Sequence, residues 1–153
     1  EVSMILPALY VRGQWASHIA LGHKCIETRG YRIPDKYIGE WVAIVRSRHG
    51  EKPEVACLAY LSGCFRYLSE QEFRNDNSSH LIHEGHLLYD WGTTSEKWGW
   101  KIPMVVGIGD PWFYKVWKGG RVWTQCSVGI DRFLEAVGGY RHGWRTKSES
   151  VNG

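Results

Sequence analysis

Glycine and proline cut this chain into apolar stretches of strand length, and that punctuation limits its fold more than any other feature. Among the 153 residues are 18 glycines and 5 prolines. The stretches between them, such as "WVAIVRSR" at 41–48 and "VACLAYL" at 55–61, are rich in β-branched and aromatic residues and too short for long helices. None approaches the roughly 18 apolar residues of a membrane-spanning helix, so no membrane partner is expected. The pattern reads as an α+β chain in which strand residues outnumber helical ones.

Read in order, residues 5–12 form a first strand that Gly13 breaks. Residues 14–21 form a short helix with Trp15, His18 and Ile19 at helical spacing, and Gly22 stands where a helix end takes a left-handed residue. Strands follow at 24–29 and 41–48, separated by a loop over 30–39 that holds Pro34. After a turn at 50–54, a long strand over 55–68 is expected to bend near Gly63. Ser69 and Glu72 form a capping-box pair that opens a helix at Glu70 and closes it before "NDNSS" at 75–79. A further helical turn or two is expected over 80–88, "GTTSEKWGWK" at 92–101 reads as an irregular loop, and "DWGTTSEKWGWK" at 90–101 as a mobile flap. Residues 102–108 carry a proline and suit a sheet edge. Residues 112–117 and 121–128 read as a hairpin turned by "KGGR". Asp131 caps a last helix running to Val137. These elements suit one domain over 1–139, followed by a basic, polar tail over 140–153 that is expected to fray.

Composition narrows the partners. Aromatic residues make up 14% of the chain, with nine tryptophans, which suits both core packing and clefts for flat rings. A net charge of +3 and a pI near 8.7 permit a nucleic-acid partner without requiring one. The cysteines at 25, 57, 64 and 126 show no CxxC spacing, so they read as free thiols in a reducing compartment. No secretory leader is visible at the start. The expected location is therefore cytoplasmic or nucleoplasmic, without secretion.

The stretch "GHKCIETR" at 22–29 fits G-x-K-x-x-E-x-R through Gly22, Lys24, Glu27 and Arg29, and so resembles the signature of the ASCH domain. The strand and the helix "RGQWASHIALG" before it, and "GYRIPDKYIGEWVAIVRS" after it, resemble the family's flanking segments over residues 5–48. The resemblance implies a PUA-like fold, a small mixed β-barrel with short helices at its mouth. It also implies a role on or with RNA. Some relatives look like RNA-binding modules, some bacterial ones remove an acetyl group from acetylated cytidine, and ribonuclease activity is ascribed to others. The acetylcytidine hydrolases place a threonine three residues after the lysine. Here Glu27 fills that slot and Thr28 is one place later, which puts the same hydrolytic mechanism in doubt.

Several side chains are candidates for the chemistry. Lys24 stands at the helix exit, where an ammonium holds a phosphate or an oxyanion, or acts as a base if burial lowers its pKa. The plainer alternative is a lysine whose stem lies over Trp15. Glu27 and Arg29, two apart on a strand, share a face. They form either a bracing salt bridge or a pair in which Glu27 accepts a proton or a base edge while Arg29 clamps phosphate. Arg12, Trp15, Tyr31, Arg32, Trp98 and Trp100 complete a candidate nucleic-acid surface of interleaved rings and cations. "HLIHEGH" at 80–86 brings His80, His83 and His86 close together, but it lacks H-E-x-x-H spacing and Gly85 weakens a helix there, so no metal or other cofactor is expected. His18 reads as a packing histidine.

Three functions stay open. One is an RNA-binding ASCH-type domain with a charged, aromatic-lined cleft for single-stranded RNA or a nucleotide. Another is a metal-independent ribonuclease or nucleoside-directed hydrolase using Lys24 and Glu27 in that cleft. The third is a protein-interaction module whose charged signature only braces the fold.

Overall fold

Strict alternation along the first strand sets the architecture. Leu9 and Val11 point to one side and Leu6 and Ala8 to the other, and all four are buried. A strand buried on both faces needs a layer on each side. In the computed structural model, which describes residues 2–138, the chain runs β1 (Ser3–Arg12), α1 (Gly13–Ala20), β2 (Ile26–Arg29), β3 (Glu40–Ser47), β4 (Glu54–Leu61), β5 (Gly63–Arg66), α2 (Glu70–Asn75), α3 (Asn77–His80), β6 (Trp98–Lys101), β7 (Met104–Val106), β8 (Lys115–Val116) and β9 (Trp123–Gly129). A closing helix covers 130–138. The expected basic tail, with Arg141, Arg145 and Lys147, lies outside the described residues.

Nine strands form two sheets among the described residues. The larger has the order β7-β4-β3-β1-β9-β8 and the smaller β2-β6-β5. β1 runs parallel to β3, pairing Ala8 with Ala43 through Arg12 with Ser47, and antiparallel to β9. The proline-bearing segment supplies β7 at one edge, as its sequence suggests. On one face of the large sheet, Leu9, Val11, Val42, Ile44 and Leu61 pack with Trp15 and Ile19 of α1, Phe73 of α2 and Trp100 of the small sheet. On the other face, Leu6, Ala8, Ala43, Val45 and Leu58 pack with Tyr114 and with Val137 of the closing helix.

The described strands do not close into the expected barrel. The reason lies at Ser62, where the long strand expected over 55–68 leaves the large sheet and resumes as β5 in the small one. The irregular loop expected over 92–101, within the flap at 90–101, is corrected too. Its second half is β6, the central strand of the small sheet, pairing with β2 and β5. The helix expected over 80–88 does not form: the short helix α3 ends at His80, where Leu81 adopts a left-handed φ of 65°, and 81–88 is turn and loop. The "NDNSS" loop is largely that short helix. The hairpin's first strand shrinks to Lys115–Val116, since Pro111–Phe113 forms a 3-10 turn capped by Asp110. The capping box appears as read, with Ser69 Oγ accepting from the Glu72 amide at 3.2 Å.

The turn before β9 depends on Gly120, whose φ is +71°. A Cβ there would sit 1.9 Å from the Trp123 carbonyl oxygen, and the backbone cannot yield to it cheaply. Gly120→Ala is therefore expected to destabilise the domain by more than about 1 kcal/mol. Urea denaturation measures this, and an unchanged midpoint would refute the turn geometry.

Candidate functional site

Three charged side chains from one short stretch meet beneath α1. The Lys24 amide donates to the His18 carbonyl at 3.1 Å, which tucks the lysine under the helix that precedes it. Its side chain has no solvent exposure. Nζ donates to the His80 carbonyl oxygen, lies 3.7 Å from Glu27 Oε1 and 5.2 Å from the centre of the Trp15 ring. Burial pulls the ammonium below the usual lysine range, and the Glu27 charge only partly offsets it.

Glu27 is the hub. Oε2 accepts from Arg29 Nε at 3.2 Å and Nη2 at 2.9 Å, and Oε1 accepts from the Thr28 amide at 3.2 Å. Burial pushes its carboxyl up, but the charges of Arg29 and Lys24, with these hydrogen bonds, together outweigh burial and hold it below the ordinary carboxylate range. Arg29 Nη2 also donates to the Tyr10 carbonyl at 2.9 Å, and the guanidinium carbon lies 5.5 Å from the centre of the Trp100 ring.

His80 belongs to this scaffold. The Ile82 amide donates to Nδ1 at 2.9 Å, so the proton sits on Nε2, which donates to the Phe73 carbonyl at 2.7 Å. The ring stacks on Phe73 with centroids 4.1 Å apart. Burial lowers its pKa, which keeps it neutral. The suggested His80–His83 pairing on one helix face does not form, and His83 instead faces His86 at 5.1 Å between ring centres.

A cavity of about 230 Å³ opens beside the hub. It lies at the carboxyl ends of the two parallel strands, between Tyr10, Val11 and Arg12 of β1 and Ser47 of β3. Trp15 of α1 and Glu27, Thr28 and Arg29 of β2 form further walls, and Ile82, Tyr89 and Arg121 complete it. Three guanidiniums therefore face one carboxylate. Neither Arg12 nor Arg121 has an ion-pair partner among the described residues, though the Arg12 guanidinium carbon lies 6.0 Å from the Tyr89 ring centre. Tyr89 is positioned by Lys97, a buried lysine that donates to the Tyr89 carbonyl at 3.0 Å.

The residues singled out in the sequence are thus partly gathered. Arg12, Trp15, Glu27 and Arg29 line the cavity. Lys24 abuts it from behind, shielded by Trp15. Trp100 is fully buried, stacks on Trp123 with centroids 5.9 Å apart and supports Arg29 from the core side. Tyr31 accepts the Trp100 indole N–H through its carbonyl, Arg32 pairs with Asp35 on the surface at 2.8 Å, and the Trp98 indole donates to Glu96 at 2.9 Å. None of these last four residues lines the cavity. Tyr10, Ser47, Tyr89 and Arg121 do, although no local pattern in the sequence marks them. The pairing of β1 with β3 and β9 brings three of the four together.

No protein-family model matches the sequence, and no curated protein matches it either. Solved structures do match by fold. One is ASCH from Zymomonas mobilis, superimposing at a TM-score of 0.53 with 15% identity over 84% of this chain and 76% of that one. A point-mutant form of the same protein matches at 0.53 with 17% identity over 65% of this chain and 70% of that one. The chain therefore has an ASCH-like fold.

Because Glu27 is held below its ordinary range, its charge stabilises the fold fully above the unfolded pKa of about 4.3, and that stabilisation is lost as pH falls through the lower folded value. Glu27→Gln leaves the buried Lys24 ammonium and Arg29 without their counter-charge, a loss of about 3–5 kcal/mol at neutral pH. Urea unfolding of both proteins at pH 7 and pH 3 should show the gap narrowing at the acid end. An equal gap at both pH values would contradict the assignment.

Proposed function

We propose that this domain binds RNA by taking one nucleotide of a single strand into the cavity beside Glu27. The observation that carries this reading is the lining itself: Arg12, Arg29 and Arg121 against a single carboxylate, walled by Trp15 and Tyr89. Guanidiniums grip phosphate oxygens bidentately, and aromatic side chains receive unstacked bases. A volume of about 230 Å³ falls below the roughly 300–1,000 Å³ of pockets for drug-sized ligands, which suits one base. An ionised carboxylate offers about four acceptor positions, and Thr28 and Arg29 occupy three of them at Glu27. The fourth, on Oε1, faces the Lys24 ammonium at 3.7 Å, so the arginines and the rings are what the cavity offers a nucleotide.

Cleavage by Lys24 and Glu27 is the weaker reading. An efficient general base titrates near the working pH, whereas Glu27 is held below the carboxylate range by Arg29 and Lys24. Lys24, already bonded to the His80 carbonyl, does not reach the cavity. Both side chains are better suited to fixing Arg29 than to moving protons.

Tryptophan fluorescence titrated with the four nucleoside monophosphates tests the reading. At least one is expected to bind saturably. Arg12→Ala/Arg121→Ala should weaken it about tenfold or more, the loss expected for charge-assisted hydrogen bonds. RNA recovered after incubation should be intact. Absence of any saturable signal, or unchanged affinity in the variant, would overturn the reading, and RNA cleavage abolished by Glu27→Gln in a folded protein would favour the hydrolytic one.

A further inference from the structure

A second, larger groove lies on the other face of β1, where the Tyr10 side chain packs beside Tyr114 and Val116. Tyr10 lines both the cavity and this groove. The groove encloses about 880 Å³ between the 110–119 segment and residues 52–54. Its aromatic walls include Trp112 and Trp117, which are 74% and 43% exposed. Among the described residues neither indole stacks on another aromatic ring. Lys52, Lys115 and Lys118 also line it, and none of the three forms an ion pair with another described residue. Its two acids are already engaged: Glu54 accepts from Arg46 at 3.1 Å, and Asp110 accepts from the Trp112 amide at 2.9 Å. The short 118–121 turn joins the two sites, with Lys118 on the groove and Arg121 on the cavity.

Resting on the cavity reading above, we propose that this groove holds the nucleotides that flank the one in the cavity, so that the ligand is a single-stranded RNA segment rather than a free nucleotide. Two observations favour this occupant. Three cations without ion-pair partners alternate with two solvent-facing indoles, the combination that tracks a phosphate backbone while stacking successive bases. The groove and the cavity lie on the two faces of β1 and are linked at its end by the 118–121 turn, so a strand leaving one reaches the other by passing over that turn. A duplex keeps its bases stacked on each other and cannot use the indoles. A protein partner would have to bring acids to meet the lysines and would have no reason to continue into the cavity.

The test compares the best-bound nucleoside monophosphate with single-stranded RNA hexamers of the same base, in competition fluorescence anisotropy on the full chain. The hexamer should bind at least tenfold more tightly than the monophosphate. Trp112→Ala/Trp117→Ala should remove about fivefold or more per tryptophan from the hexamer while leaving the monophosphate unchanged. Lys115→Ala/Lys118→Ala should lower the slope of log affinity against log salt by about 1.4. All four positions are at or near the surface, and circular dichroism verifies that the variants fold. A hexamer no tighter than the monophosphate, a length gain untouched by the tryptophan pair, or equal binding of duplex RNA would each overturn the groove proposal while leaving the cavity reading intact. Self-association abolished by the tryptophan pair, with no hexamer gain, would assign the surface to protein contact and overturn it as well. Hexamer binding that needs the tryptophans but ignores Arg12→Ala/Arg121→Ala would overturn the cavity reading, and the flanking placement with it, and assign RNA to the groove alone.

Discussion

The carboxylate of Glu27, buried between an ammonium and a guanidinium, is the interaction on which the rest of the site depends. Charges taken out of water are costly unless they are paired and their hydrogen bonds completed. Here the pairing also ties separate parts of the chain together. Lys24 reaches the His80 carbonyl and fixes the end of α3, where Ile82 enters the cavity wall. Arg29 reaches the Tyr10 carbonyl and fixes β2 against β1. The same contacts that offset the cost of burial therefore set the shape of the cavity. They also leave Arg29 at the wall as a donor whose direction is decided before any ligand arrives, which is the condition for tight and selective polar recognition.

The sheet supplies the place. Parallel β1 and β3 end together at Arg12 and Ser47, and no further strand of the large sheet crosses that end between them. α1 leaves β1 directly and lays Trp15 over Lys24. The antiparallel return of β9 beside β1 brings Arg121 to the same corner. Cations from four points along the chain thus converge without a contiguous basic motif. One of them, Lys24, is held inside while three arginines face the cavity. Within residues 22–29, Lys24 therefore belongs to the buried scaffold while Arg29 reaches the cavity wall.

Much of this was legible in the sequence, and what was not has physical reasons. The strand, helix and strand over the first 48 residues follow from alternation and glycine breaks. Ser69 and Glu72 announced α2, because a cap is a local interaction. β6 was hidden. "WGWK" offers no β-branched run, and its glycine looks like a loop residue. Gly99 is in fact required by close packing, since a Cβ there would lie 2.7 Å from the Phe65 ring. Trp100 looked like a cleft wall for the same reason, an aromatic among polar neighbours, yet the small sheet buries it against Trp123. Tyr10, Ser47, Tyr89 and Arg121 stayed invisible because their proximity is created by strand pairing and by a buried lysine, Lys97, acting at a distance in sequence. The depth of Lys24 was half visible. Its contact with Trp15 was foreseeable, but its enclosure by the His80 carbonyl depends on a turn that local sequence disguised as a longer helix.

A double-mutant cycle on nucleotide affinity, using Glu27→Gln, Arg29→Lys and the pair under conditions where all variants remain folded, tests most directly whether Glu27 acts by fixing Arg29. If it does, the two substitutions are strongly non-additive, and the pair loses about as much affinity as either alone. Additive losses would mean that the two residues serve the ligand independently and would contradict the account.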